Sequence, residues 1–260
     1  MWAAGWPRDA NALPRPSRPR ERRWRIDRPD LNTSGRHRWR TLSNRSSLVQ
    51  FDSLKEARVF AQTIRGKVSD PDAVRPVVDR WMKELGPGAT GWLGSTSGIT
   101  DDRQLFVLVR FDSEEAAKAN SDKPEQGQWW AEMEKLLEGE ATFQDSSEVY
   151  VDARGDLDSA GFVQVMDAQT SDPERSRQLM AETEQARVAL RPDILGQVVV
   201  GHEDGRFTMV IYFVNEEAAR RGERQEMPAE LQDAMQEMMA LGVGMPEFLD
   251  LRMPWLDSPR

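Results

Sequence analysis

The chain has 260 residues, with 35 Lys and Arg against 44 Asp and Glu, 38% apolar residues, two His and no Cys. That is enough for one large domain, or two of about 100–130 residues, around a buried core. The lack of cysteine excludes disulfides, thiolate zinc sites, iron–sulfur clusters and a cysteine nucleophile. No apolar run nears the ~18–20 residues of a membrane span, and no secretory signal opens the chain. The sequence therefore reads as a soluble, cytoplasmic protein without a membrane partner.

The first 48 residues carry 12 Arg, no Lys and four acids, so the remaining 212 must hold −17 of the overall −9 charge. Such an acidic remainder would repel phosphate, which argues against nucleic acid as its partner. Proline recurs at positions 7, 14, 16, 19 and 29, and Trp2, Trp6, Trp24 and Trp39 show no helical or strand period. Residues 1–58 are predicted to be a disordered Arg/Pro/Trp-rich tail. It reads either as an arm for RNA or an acidic membrane, or as sequence upstream of the true start.

From position 59 the chain repeats. Shifted by 102 positions, residues 60–153 align with 162–255 without a gap, and 15 of the 94 pairs are identical. Ser69-Asp70-Pro71 matches Ser171-Asp172-Pro173, and Glu114-Glu115-Ala116-Ala117 matches Glu216-Glu217-Ala218-Ala219. Phe60, Gln62, Leu93, Gly94 and Phe111 recur as Phe162, Gln164, Leu195, Gly196 and Phe213. A period this long is a duplicated domain, here residues 59–153 and 160–256.

Each copy opens with a strand, at 59–67 and 161–169. The Ser-Asp-Pro triplet then starts a helix: Asp or Ser accepts first-turn N–H groups, and Pro has none to leave unpaired. Ser171 and Glu174 fit a capping box in the second copy. Val74, Val77, Val78, Trp81, Met82 and Leu85 form an apolar helical stripe. Two strands follow, at 90–99 and 104–111, repeated at 194–202 and 206–214. A second helical region starts at Glu-Glu-Ala-Ala, and a last strand closes each unit, at 147–152 and 248–253.

The order is βαββαβ, a ferredoxin-like unit with two helices on one sheet face. The other face is bare, and two copies can cover each other by packing bare face to bare face. The predicted fold is α+β: two tandem ferredoxin-like repeats forming one pseudo-dimeric α/β barrel. A monomer suffices for it, because both halves lie in one chain.

This arrangement resembles the dimeric α/β-barrel superfamily, which includes antibiotic-biosynthesis monooxygenase-like domains. The resemblance covers residues 59–255, through Gly161-Phe162-Val163-Gln164-Val165-Met166, Gly91-Trp92-Leu93-Gly94-Ser95 and the Glu-Glu-Ala-Ala start. It implies a fold more than a chemistry, since the superfamily hosts monooxygenases, haem-degrading enzymes, isomerases and proteins without known activity. The haem-degrading branch uses an Asn, a Trp and a helical His; here His202, alone in the repeats, lies on a strand. No catalytic residue carries over, and no cofactor or metal is implied.

Motif lookalikes fail on context. Gly86 to Gly91 spells G-x-G-x-x-G but follows a helix, the reverse of a dinucleotide turn. Asp152, Asp156 and Asp158 make an acidic linker that misses calcium-loop spacing. His202 reads as a general base or as a polar strand end. Trp92 reads as a pocket wall or as core. On the third strands one face is uniformly apolar (Leu105, Val107, Val109, Phe111; Phe207, Met209, Ile211, Phe213) and is assigned to the helices. The opposite face then points Arg110 and Tyr212 into the barrel, with Gln62 and Gln164 beside them. These residues, with His202 and Trp92, are the candidate pocket for a small hydrophobic or aromatic molecule. The alternatives are a cofactor-independent monooxygenase or isomerase, and a non-catalytic interaction protein whose barrel is filled.

Overall fold

The computed structural model describes residues 59–259, so the predicted tail, 1–58, lies outside the described residues. The first repeat contains β1 (Phe60–Lys67), α1 (Pro71–Glu84), β2 (Trp92–Ile99), β3 (Gln104–Phe111), α2 (Glu114–Ser121), α3 (Pro124–Glu134), β4 (Thr142–Ser146) and β5 (Val149–Ala153). The second contains β6 (Phe162–Gln169), α4 (Pro173–Glu182), α5 (Glu184–Leu190), β7 (Ile194–Gly201), β8 (Arg206–Phe213), α6 (Glu216–Glu223), α7 (Ala229–Leu241), β9 (Glu247–Leu251) and β10 (Trp255–Asp257).

The helix starts follow the triplet. Asp70 accepts from the Asp72 N–H, and Asp172 accepts from the Arg175 N–H. In the second copy the cap is Asp172 rather than Ser171; the Ser171 hydroxyl donates to the Leu241 carbonyl, so there is no capping box. The second helical region is two helices in each copy, broken before Pro124 and at Pro228, whose rings cannot continue the preceding turn.

Two five-stranded antiparallel sheets result, in the orders β10-β2-β3-β1-β4 and β5-β7-β8-β6-β9. Each holds four strands of one repeat and one of the other. The last strand of each unit is bent: β4 pairs with β1 in its own sheet, and β5 pairs with β7 across the molecule. β9 and β10 do the same with β6 and β2. The repeats therefore trade their last strands, and both sheet edges gain partners.

The trade explains the shared Leu-Gly pair. Gly94 and Gly196 both sit at a register shift between the second and third strands of their sheet. A Cβ at Gly94 would come within 3.0 Å of the Asp257 carbonyl oxygen, and one at Gly196 would collide with that of Asp152. Both carbonyls belong to the exchanged strand, so a side chain at either glycine would push it off.

Pairing also corrects the gapless alignment. Ser69 and Ser171 bond the Leu136 and Leu241 carbonyls, an offset of 105 rather than 102 at the acceptor. Three residues are inserted in the second repeat between α6 and α7, so beyond them equivalent positions lie 105 apart.

The core has two kinds of layer. Phe106 and Leu108 of the first sheet meet Val163, Val165, Val198, Val200, Val210 and Tyr212 of the second in one buried cluster between the sheets. The opposite faces carry the helices: Phe60, Trp81, Trp92 and Phe111 on one, Phe162, Met166, Met209, Ile211 and Phe213 on the other. No helix among the described residues is long and apolar enough to cross a membrane.

Candidate functional site

Arg110 and Tyr212 stand on the inter-sheet faces of β3 and β8. Tyr212 is 1% exposed, and its hydroxyl lies 2.5 Å from Thr96 Oγ1 on the facing sheet. Burial pushes its phenol above the ordinary value, while the Arg110 charge pulls the other way. Arg110 Nε is buried and, among the described residues, has no hydrogen-bond partner. The cluster of Phe, Leu, Val and Tyr side chains fills the layer around them, so this region is a packed core with a polar seam.

The glutamines are not in that layer. Gln62 shares its face with Phe60, which lies opposite Phe111 on the helix-covered side. Side chains two apart on a strand point the same way, so Gln62 and Gln164 face the helices. Each donates from Nε2 to an aspartate on the neighbouring fourth strand, Gln62 to Asp145 at 2.7 Å and Gln164 to Asp250 at 2.9 Å. That cross-strand bond is what the repeated glutamine does.

His202 lies just past the end of β7, apart from these groups. Its Nε2 is 3.0 Å from Thr208 Oγ1, which donates to Asp167 Oδ1 at 2.7 Å, and Asp167 also takes Arg65 Nη2 at 2.7 Å. With Thr208 already donating, the imidazole carries its proton on Nε2. Burial lowers the His202 pKa, opposed by Asp167 and helped by Arg206 and Arg65. Trp92 sits in a third place, edge-on to Trp81 with ring centroids 5.2 Å apart; Trp129 is 6.4 Å from Trp81. All three indole N–H groups are bonded, to Ser95, Gln126 and the Val77 carbonyl respectively for Trp92, Trp81 and Trp129. Of the predicted residues only Arg110 and Tyr212 come together; Gln62 and Gln164 lie on different sheets, and His202 and Trp92 stand apart from that pair.

A pocket that sequence reasoning missed lies on the helix-covered face of the second sheet. It is a small cavity of about 20 Å³, lined by Gln164, Arg187, Arg191, Gln197 and Phe213 among others. Arg191, in its lining, is 2% exposed. Arg191 donates from Nε and Nη2 to the two carboxylate oxygens of Asp193, at 2.9 and 2.7 Å, and lies over the Phe213 ring at 5.5 Å. The third nitrogen, Nη1, is buried without a partner among the described residues. Arg187 donates to Thr183 Oγ1 at 3.1 Å and the Met180 carbonyl at 2.7 Å. Burial holds its pKa below the usual guanidinium value, as does the charge of Arg154, with Asp152 and Glu184 partly offsetting them. The signal was in the alignment: Arg187 and Arg191 stand where the first repeat has Leu85 and Ala89. Among the described residues, no three of His, Asp or Glu are grouped so as to hold a metal ion.

Sheet order, strand exchange and paired inner faces define the fold: two tandem ferredoxin-like units in one chain, with exchanged last strands and sheets packed inner face to inner face. It is similar to a candidate monooxygenase from Lactobacillus acidophilus, at 13% identity and a TM-score of 0.62, covering 77% of this chain and 96% of that one. A candidate monooxygenase from Fusobacterium nucleatum is similar at 10% identity and a TM-score of 0.60, covering 78% and 95%. An anthrone oxidase-like protein follows at 13% and 0.54, covering 80% and 94%. These likenesses are of fold. No protein-family model matches the sequence, and no curated protein does either.

Proposed function

We propose that the protein binds one small molecule per chain, in the helix-covered pocket of the second repeat rather than between the sheets. The observation that carries this is Arg191, a fully buried guanidinium with one nitrogen unpartnered among the described residues, in the lining of a cavity. A buried donor left unpaired costs about 1–3 kcal/mol, a cost that an acceptor on a ligand removes. The pocket combines apolar walls (Ile194, Ile211, Phe213) with a few convergent polar groups, the usual composition of a ligand site.

The first repeat supports the reading by contrast. By register, Trp81, Trp92 and Trp129 correspond to Thr183, Ile194 and Ala234 of the second. Indole rings close the first site; smaller side chains and arginines leave the second one open. The opposing reading, a filled scaffold, draws on the cavity's size: about 20 Å³ is room for roughly one water molecule. A larger ligand therefore enters only as the long Arg154 and Arg187 side chains swing aside.

Ile194→Trp copies the first repeat's closure. Native mass spectrometry of the protein isolated from the cell that makes it should show one bound small molecule in the unmodified chain and none in the variant. An equal, ligand-free mass from both would overturn the proposal in favour of the scaffold.

A further inference from the structure

We infer that α5 (Glu184–Leu190) is a lid, hinged at Thr183, that moves as a helix to admit the small molecule; the inference rests on the binding site proposed above. A cavity of about 20 Å³ is closed to anything larger than a water molecule, so a ligand has to displace part of its wall. One side of that wall is sheet. Gln164, Gln197, Ile211 and Phe213 stand on the helix-covered face of β6, β7 and β8, strands held by ladders on both sides. The other side includes Arg187 of α5.

The two repeats differ at this helix. In the first, α1 runs unbroken through Trp81, and Trp81, Met82 and Leu85 pack with Phe60, Trp92 and Phe111. In the second, Thr183 stands where the first has Trp81. Its hydroxyl donates to the Leu179 carbonyl at 2.6 Å, a bond that competes with the helical ladder and bends a helix where it forms. There α4 ends, with Thr183 at φ −101° and ψ 1°, and α5 starts at the next residue. While α4 buries Leu179, α5 buries no side chain, and its Val188 is 38% exposed. Among the described residues, the Arg187 guanidinium hydrogen-bonds Thr183 Oγ1 and the Met180 carbonyl, at the bend rather than on the sheet. Past the other end of α5, Arg191 is anchored: its buried guanidinium donates to both carboxylate oxygens of Asp193. A short helix with a bend at one end, an anchor at the other and nothing buried between them is the part of this wall that opens at least cost.

Native-state hydrogen exchange and thiol labelling of the full chain test this. The Arg187 and Leu85 amides are equivalent, bonded at 2.9 Å to the Thr183 and Trp81 carbonyls respectively. The Arg187 amide should be at least tenfold less protected than that of Leu85, through an opening that low urea barely changes. The chain has no cysteine, so a single introduced thiol reports on one place. Ile211→Cys puts it in the pocket, and Val109→Cys puts it at the matching place of the first repeat, opposite Gln62 as Ile211 is opposite Gln164. Methyl methanethiosulfonate should react at least tenfold faster with the thiol of Ile211→Cys. Static exposure predicts the opposite order, since Ile211 is 4% exposed and Val109 is half-buried. Ala189→Gly, at an exposed position of α5, weakens the helix and should raise both the Arg187 exchange and the Ile211→Cys labelling about fivefold. An Arg187 amide as protected as that of Leu85 would overturn the inference, because side chains alone would then turn aside. So would labelling of Ile211→Cys no faster than the β8 amides exchange. Neither measurement needs the bound molecule. Failure here leaves the mass-spectrometric test of the pocket standing, and a ligand-free chain with a mobile α5 sinks the pocket alone.

Discussion

Gly222 shows how closely single residues set the pocket. A Cβ there would overlap the Arg191 guanidinium at Nε and Cζ, atoms locked by Asp193 and Phe213. Gly222→Ala should lower stability by about 2 kcal/mol or more, although alanine is normally the better helix former, because a buried, paired charge must move. Urea unfolding measures it; a neutral or stabilising substitution would mean that Arg191 is free to move. His202 carries a pH dependence of definite sign. Its folded pKa is below the ordinary 6.5, so the unfolded chain binds more protons in the interval between the two values. That contribution is harmless above pH 6.5 and destabilises as pH falls towards the folded value. His202→Gln should therefore lose less stability than the unmodified chain between pH 7.5 and 5.5, read as the shift in urea midpoint. At this scale the sequence was only half legible. The face alternation of β3 and β8 could be read, since Leu105 to Phe111 and Phe207 to Phe213 are apolar at every second position. Gln62 was put on the wrong face, although its neighbours Phe60 and Ile64 already marked it as facing the helices.

The elements follow the sequence more closely, because local chemistry decides them. Ser-Asp-Pro starts both first helices, and the runs at 104–111 and 206–213 are strands as their period demands. What could not be read is the bend in the last strand. Its two halves, β4 with β5 and β9 with β10, pair with different sheets, and only three-dimensional closure makes them change partners. Two glycines that recur in both copies were the trace of that event. Gly196 gives the direct test: a methyl group there meets the Asp152 carbonyl and the Leu157 side chain. Gly196→Ala should cost about 2–4 kcal/mol and speed amide exchange in β5 (Val149–Ala153) before it does so in β6. The same substitution at the exposed Gly127 in α3, where a Cβ meets nothing, should instead raise stability by about 0.5–1 kcal/mol, the helix-propensity gain of alanine over glycine.

Over the whole molecule, fusion frees the two halves from identity. Arg65 and Asp167 occupy the same place in the two copies and meet at 2.7 Å across the repeats. In a symmetric dimer of one unit, equivalent positions that met would carry the same charge and repel. The same freedom lets tryptophans fill one site while arginines line the other. Exchanged strands and a shared inter-sheet core (Phe106 and Leu108 against Val163 to Tyr212) leave neither repeat a complete sheet or a complete core of its own. Both should therefore unfold as one unit. Native-state hydrogen exchange with rising urea measures this most directly. The slowest amides of β3 (Gln104–Phe111) and β8 (Arg206–Phe213) should converge on a single opening free energy. If one repeat opened fully at a lower free energy while the other kept its protection, two separate domains would stand in place of one fused barrel.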